Sequence, residues 1–271
     1  MNFLTEQSLL NRIRELGRVA VAFSGGVDSS LLASLAREAL GDNAVAVTFV
    51  SPLLPQSELK AAGRVAEEIR IRHELLETAE LEVGKLRTNE RERCYYCKKC
   101  RFEAALRWAA DNGISYVLEG SNDDDSRDFR PGMRVLTELQ PQVVSPFLLE
   151  HLSKSDIRAL ARERGLSVWN KPGSACLASR IEYNTELSAE RLRAVELAED
   201  YLRRIVHGQL RVRSHERIAR IEVEPAEMGV LLEHSAEVSS RLKKYGFLYV
   251  TLDLAGYRLG SHNEIFADRR I

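Results

Sequence analysis

Four groups of residues in this 271-residue chain carry side chains suited to chemistry. The first is Ser24-Gly25-Gly26-Val27-Asp28-Ser29-Ser30, set between an apolar strand-like run (Val19 to Phe23) and an amphipathic helical one (Val27 to Leu40). Two glycines let backbone N–H groups approach an anion with no Cβ in the way. Asp28, Ser29 and Ser30 open a helix whose N-terminal end favours negative charge. That junction suits a phosphate, although a capped strand-turn-helix corner would look similar. The loop GxxxxGK[ST] is absent, because Gly84-Lys85 lacks a glycine five residues earlier and is followed by Leu86.

The second group is Glu119-Gly120-Ser121-Asn122-Asp123-Asp124-Asp125, directly after a strand-like run. Its glycine, hydroxyl and carboxylate groups suit a second loop over a nucleotide, with an acid available to Mg²⁺; the plainer reading is a solvated acidic turn. The third is the cysteines. Cys94 and Cys97 have the spacing to hold two corners of an iron-sulfur cluster. Cys100 lies about 60° further around the axis if the segment is helical, and is read as a bystander. Lys98 and Lys99 follow the pair and either can reach a phosphate or simply line a helix surface. Cys176 lies in Lys171-Pro172-Gly173-Ser174-Ala175-Cys176-Leu177-Ala178-Ser179-Arg180, where small neighbours leave a thiol accessible and the two flanking cations favour the thiolate. A buried inert cysteine is the alternative. Downstream, Arg211 and Arg213 alternate with Val212, so in a strand their guanidinium groups fall on one face roughly 7 Å apart, a spacing that suits one phosphate or a solvated strand face.

The elements around these groups set an α/β architecture. Ala44 to Val50 reads as a second strand, Gln56 to Ile69 as a helix, His73 to Leu76 as a strand, Lys98 to Asp111 as a helix and Tyr116 to Glu119 as a strand. This rhythm predicts a doubly wound parallel sheet with Ser24, Ser51 and Gly120 on one rim, beyond the carboxyl ends of the strands. From about Ser153 the pattern changes. Helices at Asp156 to Arg164 and Ser188 to Arg203 precede strand-like runs at Gln209 to Arg213, Ile218 to Val223 and Phe247 to Leu254, with helices near Ala226 to Leu232 and Ala236 to Lys244. The expected division is a first domain over residues 1–165 and a smaller α+β domain over residues 166–271.

The 39 basic and 40 acidic residues nearly cancel, which argues against non-specific nucleic-acid binding and for a small substrate. With no signal-like apolar region and no run of some 18 apolar residues, the expectation is a soluble, cytoplasmic protein with no membrane partner. Four cysteines in a chain of this length do not form a secreted disulfide framework; they point to metal or redox chemistry.

The first loop resembles the pyrophosphate (PP) loop of the N-type ATP pyrophosphatases, which adenylate a substrate and release pyrophosphate, in an adenine nucleotide α-hydrolase-like domain. Together with Asp128-Phe129-Arg130-Pro131-Gly132, Ser145-Pro146, Trp169, Cys176-Leu-Ala-Ser-Arg180, Arg211-Val-Arg213, Ile221-Glu222-Val223 and Leu252-Asp-Leu-Ala-Gly-Tyr-Arg258, it is similar to the LarE family of ATP-dependent sulfur transferases from about Ser24 to Asn263. That family serves the nickel-pincer nucleotide cofactor of lactate racemase. The resemblance implies ATP bound by Ser24, Gly25, Gly26, Asp28, Ser29, Ser30 and Gly120, and a pyridinium-3,5-dicarboxylate mononucleotide as substrate. Its phosphate would be held by Arg211, Arg213 and Arg258 with Ser179, Arg180, Glu199 and Glu222 nearby. ATP adenylates a carboxylate, Cys176 displaces AMP, and C–S cleavage leaves a thiocarboxylate and dehydroalanine. Some members use a [4Fe-4S] cluster instead, which here would take Cys94, Cys97 and Cys176 as ligands; this version is favoured. The resemblance also implies a homo-oligomer, of hexameric form, and a downstream nickel-inserting enzyme as partner.

For the cysteine trio, a zinc site completed by Cys176 or a histidine is a rival, and a thioredoxin-like dithiol is weakened because Thr88 to Arg93 is charged and not strand-like. For the whole chain the rivals are a tRNA thiolation enzyme, opposed by the near-zero charge, an ammonia-using synthetase of the NAD synthetase kind, which needs no Cys176, and a non-catalytic nucleotide sensor similar in fold to universal stress proteins.

Overall fold

A computed structural model describes residues 3–127, 131–258 and 260–262; Asp128, Phe129, Arg130 and Asn263 of the sequence motifs lie outside the described residues. The chain divides into two compact units, Met1–Leu86 with Glu92–Ser174 and Arg87–Arg91 with Ala175–Ile271.

In the first unit α1 (Phe3–Glu15), β1 (Val19–Ala22), α2 (Val27–Leu40), β2 (Ala44–Val50), α3 (Gln56–Ile69), β3 (Arg72–Glu77), α4 (Gly84–Arg87), α5 (Arg93–Asp111), β4 (Tyr116–Leu118), α6 (Met133–Glu138), β5 (Val143–Val144), α7 (Pro146–Leu149) and α8 (Lys154–Glu163) follow one another. The strands form one parallel sheet in the order β3-β2-β1-β4-β5, with Val19 opposite Ala44 on one side and Tyr116 on the other. Side chains alternate across the pleat. Val19, Val21, Ala44 and Ala46 enter a core with Leu9 and Ile13 of α1, Leu31 and Leu35 of α2, Val65 of α3 and Ile157 of α8. Ala20, Val45, Val47 and Val117 enter a second core with Phe102 and Ala105 of α5 and Leu136 of α6. Both faces are therefore covered, which is why the central strands read as unbroken apolar runs. The expected doubly wound parallel sheet is the fold found.

The strand order reverses between β1 and β4, so the loops after these two strands flank the crevice where open α/β sheets bind ligands. Helix α5 and strand β5 differ from expectation, and the short helices α4, α6 and α7 fall in stretches the sequence reading leaves unassigned. Helix α5 starts at Arg93, one turn and more before Lys98, because no proline or glycine interrupts Arg93 to Lys98 and Tyr95 N–H already bonds the Glu92 carbonyl at 2.8 Å. The fifth strand has two residues and no periodicity to reveal it; it forms on the open edge of β4, where Glu119 N–H bonds the Val144 carbonyl at 2.9 Å.

The second unit holds α9 (Ala189–Leu202), β6 (Leu210–His215), β7 (Ile218–Val223), α10 (Met228–Glu233), α11 (Ser235–Lys244) and β8 (Tyr249–Leu252). Strands β6 and β7 pair antiparallel and β8 joins β7 in parallel, giving the smaller sheet expected of the C-terminal region. Ser188 caps α9, its Oγ accepting the Arg191 N–H at 3.2 Å. Among the described residues no helix is long and apolar enough to cross a membrane.

Candidate active site

The glycine loop is held open by its own side chains. Ser29 Oγ accepts the Ser24 N–H at 3.1 Å and donates to the Gly26 carbonyl at 3.2 Å, which ties the end of β1 to the first turn of α2. Gly25 has φ +67°, and a Cβ on it would lie 2.7 Å from Ala62 Cα on α3, so both the conformation and the space demand glycine. The N–H groups of Val27, Asp28 and Ser29 belong to the first helical turn, which has no intrahelical acceptors and presents its positive end beyond the sheet. Ser30 is fully buried.

Gly120, after β4, closes on this turn from the far side of the crevice. A Cβ there would come within 3.1 Å of Asp28 Cβ and 3.3 Å of Ser29 N. Beside it Glu119 is buried and accepts Ser121 N–H at 3.1 Å, Ser121 Oγ at 2.8 Å, Lys98 Nζ at 3.1 Å and Ser145 Oγ. The acidic run is partly internal: Asp125 accepts the Asn122 N–H at 3.1 Å, and Asp124 accepts the Lys154 N–H at 2.8 Å. It is a folded loop that grips the start of α8.

Three lysines meet these two loops, each on a carboxylate. Lys98 pairs with Glu119. Lys154, the first residue of α8, pairs with Asp28, and Asn122 Nδ2 approaches the same carboxylate at 3.5 Å. Lys171 pairs with Glu58 at 2.8 Å and donates to the Gly25 carbonyl at 3.3 Å, its backbone fixed by Arg158, which bonds the carbonyls of Trp169 and Lys171. Lys99, by contrast, joins Glu138 and Tyr95 on the outer side of α5, and its ammonium is raised above its ordinary value by hydrogen bonds to Glu138 and Tyr95. The sequence leaves open which of Lys98 and Lys99 reaches a phosphate; helical position puts Lys98 beside Glu119 and Lys99 beside Glu138. The sequence reading includes Asn122 in the second loop but does not single out Lys154. The sequence signal for Lys154 was Ser153-x-x-Asp156, a capping box that places a lysine at the first position of α8.

Cys94, Cys97 and Cys100 occupy the first two turns of α5, stepping about 60° around the axis each time. Cys94 is exposed and the other two are half-buried; none of the chain's cysteines is in a disulfide. Burial, and then the charge of Glu80, push the Cys100 thiol above its ordinary value. Among the described residues no three His, Cys, Asp or Glu side chains are grouped so as to hold a metal ion.

In the second unit Cys176 caps a short 3₁₀ turn, Leu177–Arg180, and its carbonyl accepts Ser179 N–H at 3.1 Å, Ser179 Oγ at 2.8 Å and Arg180 Nη1 at 3.2 Å. Arg180 is buried and bidentate on Glu199, whose carboxylate also accepts Arg203 at 2.8 Å and the Val212 N–H at 3.1 Å. Burial alone would raise the Glu199 carboxyl, but Arg180, Arg203 and that N–H hold it below its ordinary range. Arg213 is bidentate on fully buried Glu222, at 3.1 and 3.0 Å, and reaches the Ser179 carbonyl at 2.7 Å and Ser261 Oγ at 3.1 Å. Arg211 is half-buried over the Tyr257 ring, 5.2 Å from its centroid, and burial followed by the Arg180 charge lowers its pKa. Arg258 is also half-buried. The structure thus gathers Ser179, Arg180, Glu199, Arg213 and Glu222 into one network around the Cys176 turn.

A glycine loop and helix N-terminus at the switch point of a parallel sheet make the first unit a nucleotide-binding domain of the pyrophosphate-loop kind, and a family model described as asparagine synthase matches residues 2–86. The chain is 38% identical over 260 residues to the pyridinium-3,5-bisthiocarboxylic acid mononucleotide synthase of Lactiplantibacillus plantarum, covering 95% of this chain and 93% of that one. It is 41% identical to an uncharacterized Synechocystis protein, covering 93% and 94% of the two chains, and 31% identical to one from Methanocaldococcus jannaschii, covering 89% and 91%. The chain belongs to the LarE family of ATP-dependent sulfur-transferring enzymes, as the sequence motifs implied.

Proposed function

We propose that the chain converts a carboxylate of pyridinium-3,5-biscarboxylic acid mononucleotide to a thiocarboxylate at the expense of ATP. The observation that carries this reading is the near-full-length similarity to the Lactiplantibacillus plantarum synthase, which extends across both units. Ser24, Gly25, Gly26, Asp28, Ser29, Ser30 and Gly120 hold Mg-ATP, with the loop and α2 N–H groups on the pyrophosphate. The substrate carboxylate attacks the α-phosphorus and pyrophosphate leaves. A carboxylate is a poor electrophile until its oxygen becomes a leaving group. The Cys176 thiolate then attacks the acyl adenylate, forming the C–S bond of a thioester and expelling AMP. Loss of the Cys176 Cα proton with cleavage of its Cβ–Sγ bond leaves the product thiocarboxylate and dehydroalanine.

Arg211 and Arg258 take the substrate phosphate. Arg213 and Arg180, with Glu222 and Glu199, hold the Ser179 turn beneath it. In the cluster version a [4Fe-4S] cluster would take Cys94, Cys97 and Cys176 as ligands and would supply an exchangeable sulfide; Cys94 and Cys97 stand about one turn apart on α5. The protein works as a cytoplasmic homo-oligomer and passes its product to a nickel-inserting enzyme.

The test incubates anaerobically purified protein with Mg-ATP and the dicarboxylate mononucleotide, and records product and intact polypeptide mass. Thiocarboxylate with a polypeptide lighter by one H₂S assigns the sulfur to Cys176. Thiocarboxylate with unchanged mass, together with iron and acid-labile sulfide in the protein, assigns it to the cluster. Absence of product, with thiolation of tRNA in its place, rejects the reading.

A further inference from the structure

Resting on the assignment of the glycine loop to Mg-ATP, we infer that His73 and Thr48 are positioning residues for that loop. Through Thr48 Oγ1, the His73 imidazole orients the peptide between Phe23 and Ser24, by which β1 enters the nucleotide site. Neither residue belongs to the loop; Thr48 lies in β2 and His73 in β3.

Side chains hold that peptide at both ends. Its carbonyl, on Phe23, accepts from Thr48 Oγ1 at 2.9 Å, and its N–H, on Ser24, donates to Ser29 Oγ at 3.1 Å. Phe23 N–H bonds the Val47 carbonyl at 2.8 Å, so β1 is still in register with β2 one residue earlier. Ser29 Oγ in turn donates to the Gly26 carbonyl at 3.2 Å. Rotation of this one peptide plane therefore shifts Ser24, Gly26 and the first turn of α2 together.

Thr48 Oγ1 also stands 2.8 Å from His73 Nε2. A hydroxyl has one proton, and a carbonyl can only accept. Phe23 is buried, so the Thr48 proton is required on its carbonyl, and the contact with His73 is satisfied only when Nε2–H donates to Thr48 Oγ1. The hydrogen-bond network assigns the tautomer and gives the chain one direction, from His73 through Thr48 to the Phe23 carbonyl. Burial, opposed by the charge of Glu74, lowers the His73 pKa, which keeps the ring neutral with that single proton on Nε2. A proton on Nδ1 alone would instead draw the Thr48 hydroxyl off the carbonyl.

Packing does not account for the pair. The His73 ring meets the Phe23 ring edge-on, centroids 5.6 Å apart, a contact that phenylalanine would make as well. Thr48 is the one hydroxyl in β2, is buried, and follows the unbroken apolar run Ala44 to Val47, where valine would fill the same space without burying a polar group. What an imidazole and a hydroxyl add there is hydrogen-bond direction at the mouth of the loop. A loop already held in its binding geometry takes its ligand without the cost of being ordered.

Two substitutions separate direction from packing. His73→Phe keeps a ring against Phe23 and removes the N–H; His73→Gln places an amide N–H where Nε2 stood and removes the ring. By calorimetry the Kd for Mg-ATP should rise at least tenfold in His73→Phe and stay within threefold of wild type in His73→Gln. AMP formation at saturating ATP should keep kcat within threefold in both, because loop geometry serves ground state and transition state alike. Thr48→Val should weaken Mg-ATP at least tenfold, and His73→Phe added to it should cost less than a further twofold, since the link is already cut. The imidazole nitrogen NMR spectrum of wild-type protein, which depends on no variant folding, should show His73 protonated at Nε2. The reverse order of the two His73 variants, additive losses in the double variant, or a proton on Nδ1 alone overturns the inference. Wild-type protein that binds no Mg-ATP overturns the loop assignment and the inference together. Wild-type protein that binds Mg-ATP but forms no thiocarboxylate rejects the proposed function alone, and the binding data still decide the roles of His73 and Thr48.

Discussion

Gly120 and Asp28, from loops after different strands of the sheet, approach so closely that a Cβ on Gly120 would stand 3.1 Å from that of Asp28. The crevice at the strand-order reversal is narrow there because backbone, not side chain, lines one wall. Gly25 provides the matching constraint on the other side, against Ala62.

These two glycines separate in their response to alanine. Gly25→Ala combines a left-handed φ with a 2.7 Å clash against backbone, so it should destroy Mg-ATP binding and lower the melting temperature by several degrees. Gly120→Ala meets contacts of 3.1 to 3.3 Å that a few tenths of an ångström of movement relieve. It should fold with nearly unchanged melting temperature and raise the KM for ATP about tenfold, about 1.4 kcal/mol, because the first turn of α2 is displaced. Calorimetry and a pyrophosphate-release assay measure both.

Lys98 and Lys99 are adjacent in sequence and opposite in consequence. Lys98→Met leaves buried Glu119 without its cation in the β4 loop, and kcat should fall at least tenfold. Lys99→Met removes a surface contact with Glu138 and Tyr95 and should leave kcat and the KM for ATP within twofold of wild type. Steady-state AMP formation by the two variants decides; equal losses would remove Lys98 from the site.

The parallel sheet was legible because its strands are buried on both faces and its glycine loop has one local conformation. What escaped the sequence was side-chain partnership across long separations. Asp28 and Lys154 are 126 positions apart, and no local pattern joins them. Arg211 and Arg213 illustrate the same limit: alternation placed them on one strand face, but burial of Glu222, on the neighbouring strand, determines that Arg213 is spent internally while Arg211 lies over Tyr257. The start of α5 was misplaced because a cysteine and tyrosine run has only average helix propensity, and packing supplies the rest.

Thiol reactivity should follow position on α5. Burial and Glu80 raise the Cys100 thiol and so lower its thiolate fraction, while Cys94 lies exposed to a reagent. Timed alkylation in the absence of iron, read by peptide mass, should modify Cys94 at least fivefold faster than Cys100; the reverse order would place Cys100 in an open site.

Glu199 should make the second unit acid-labile. Its folded pKa is depressed below the ordinary 4.5 by Arg180 and Arg203 against the opposing effect of burial. A depressed carboxylate contributes stability that is fully present above the unfolded value and disappears as pH falls through the folded one. Melting temperature should therefore drop below about pH 4.5, and Glu199→Gln should lose about 3–5 kcal/mol at neutral pH while showing a shallower acid limb, because buried Arg180 is then uncompensated at every pH. Thermal scans from about pH 3 to 7 test this; a parallel acid limb in the variant would exclude Glu199 as its source.

Arg211 and Arg213 should divide binding from stability. Arg213→Ala removes one of the two arginines on the fully buried Glu222 carboxylate, leaving Arg220 at 3.1 Å, and unties the Ser179 carbonyl, so the expected loss is about 1.5–3 kcal/mol of stability, with any activity loss following from a displaced Cys176 turn. Arg211→Ala removes a half-buried guanidinium that bonds the Leu210 carbonyl and lies over the Tyr257 ring, so stability should change by less than about 1 kcal/mol. If Arg211 holds the substrate phosphate, the KM for the mononucleotide should rise ten- to a hundredfold with Mg-ATP affinity intact, since one charge-assisted contact to a phosphate is worth about 1.5–3 kcal/mol. A KM unchanged in Arg211→Ala would move the phosphate to Arg258 and leave both β6 arginines as supports of the Cys176 turn.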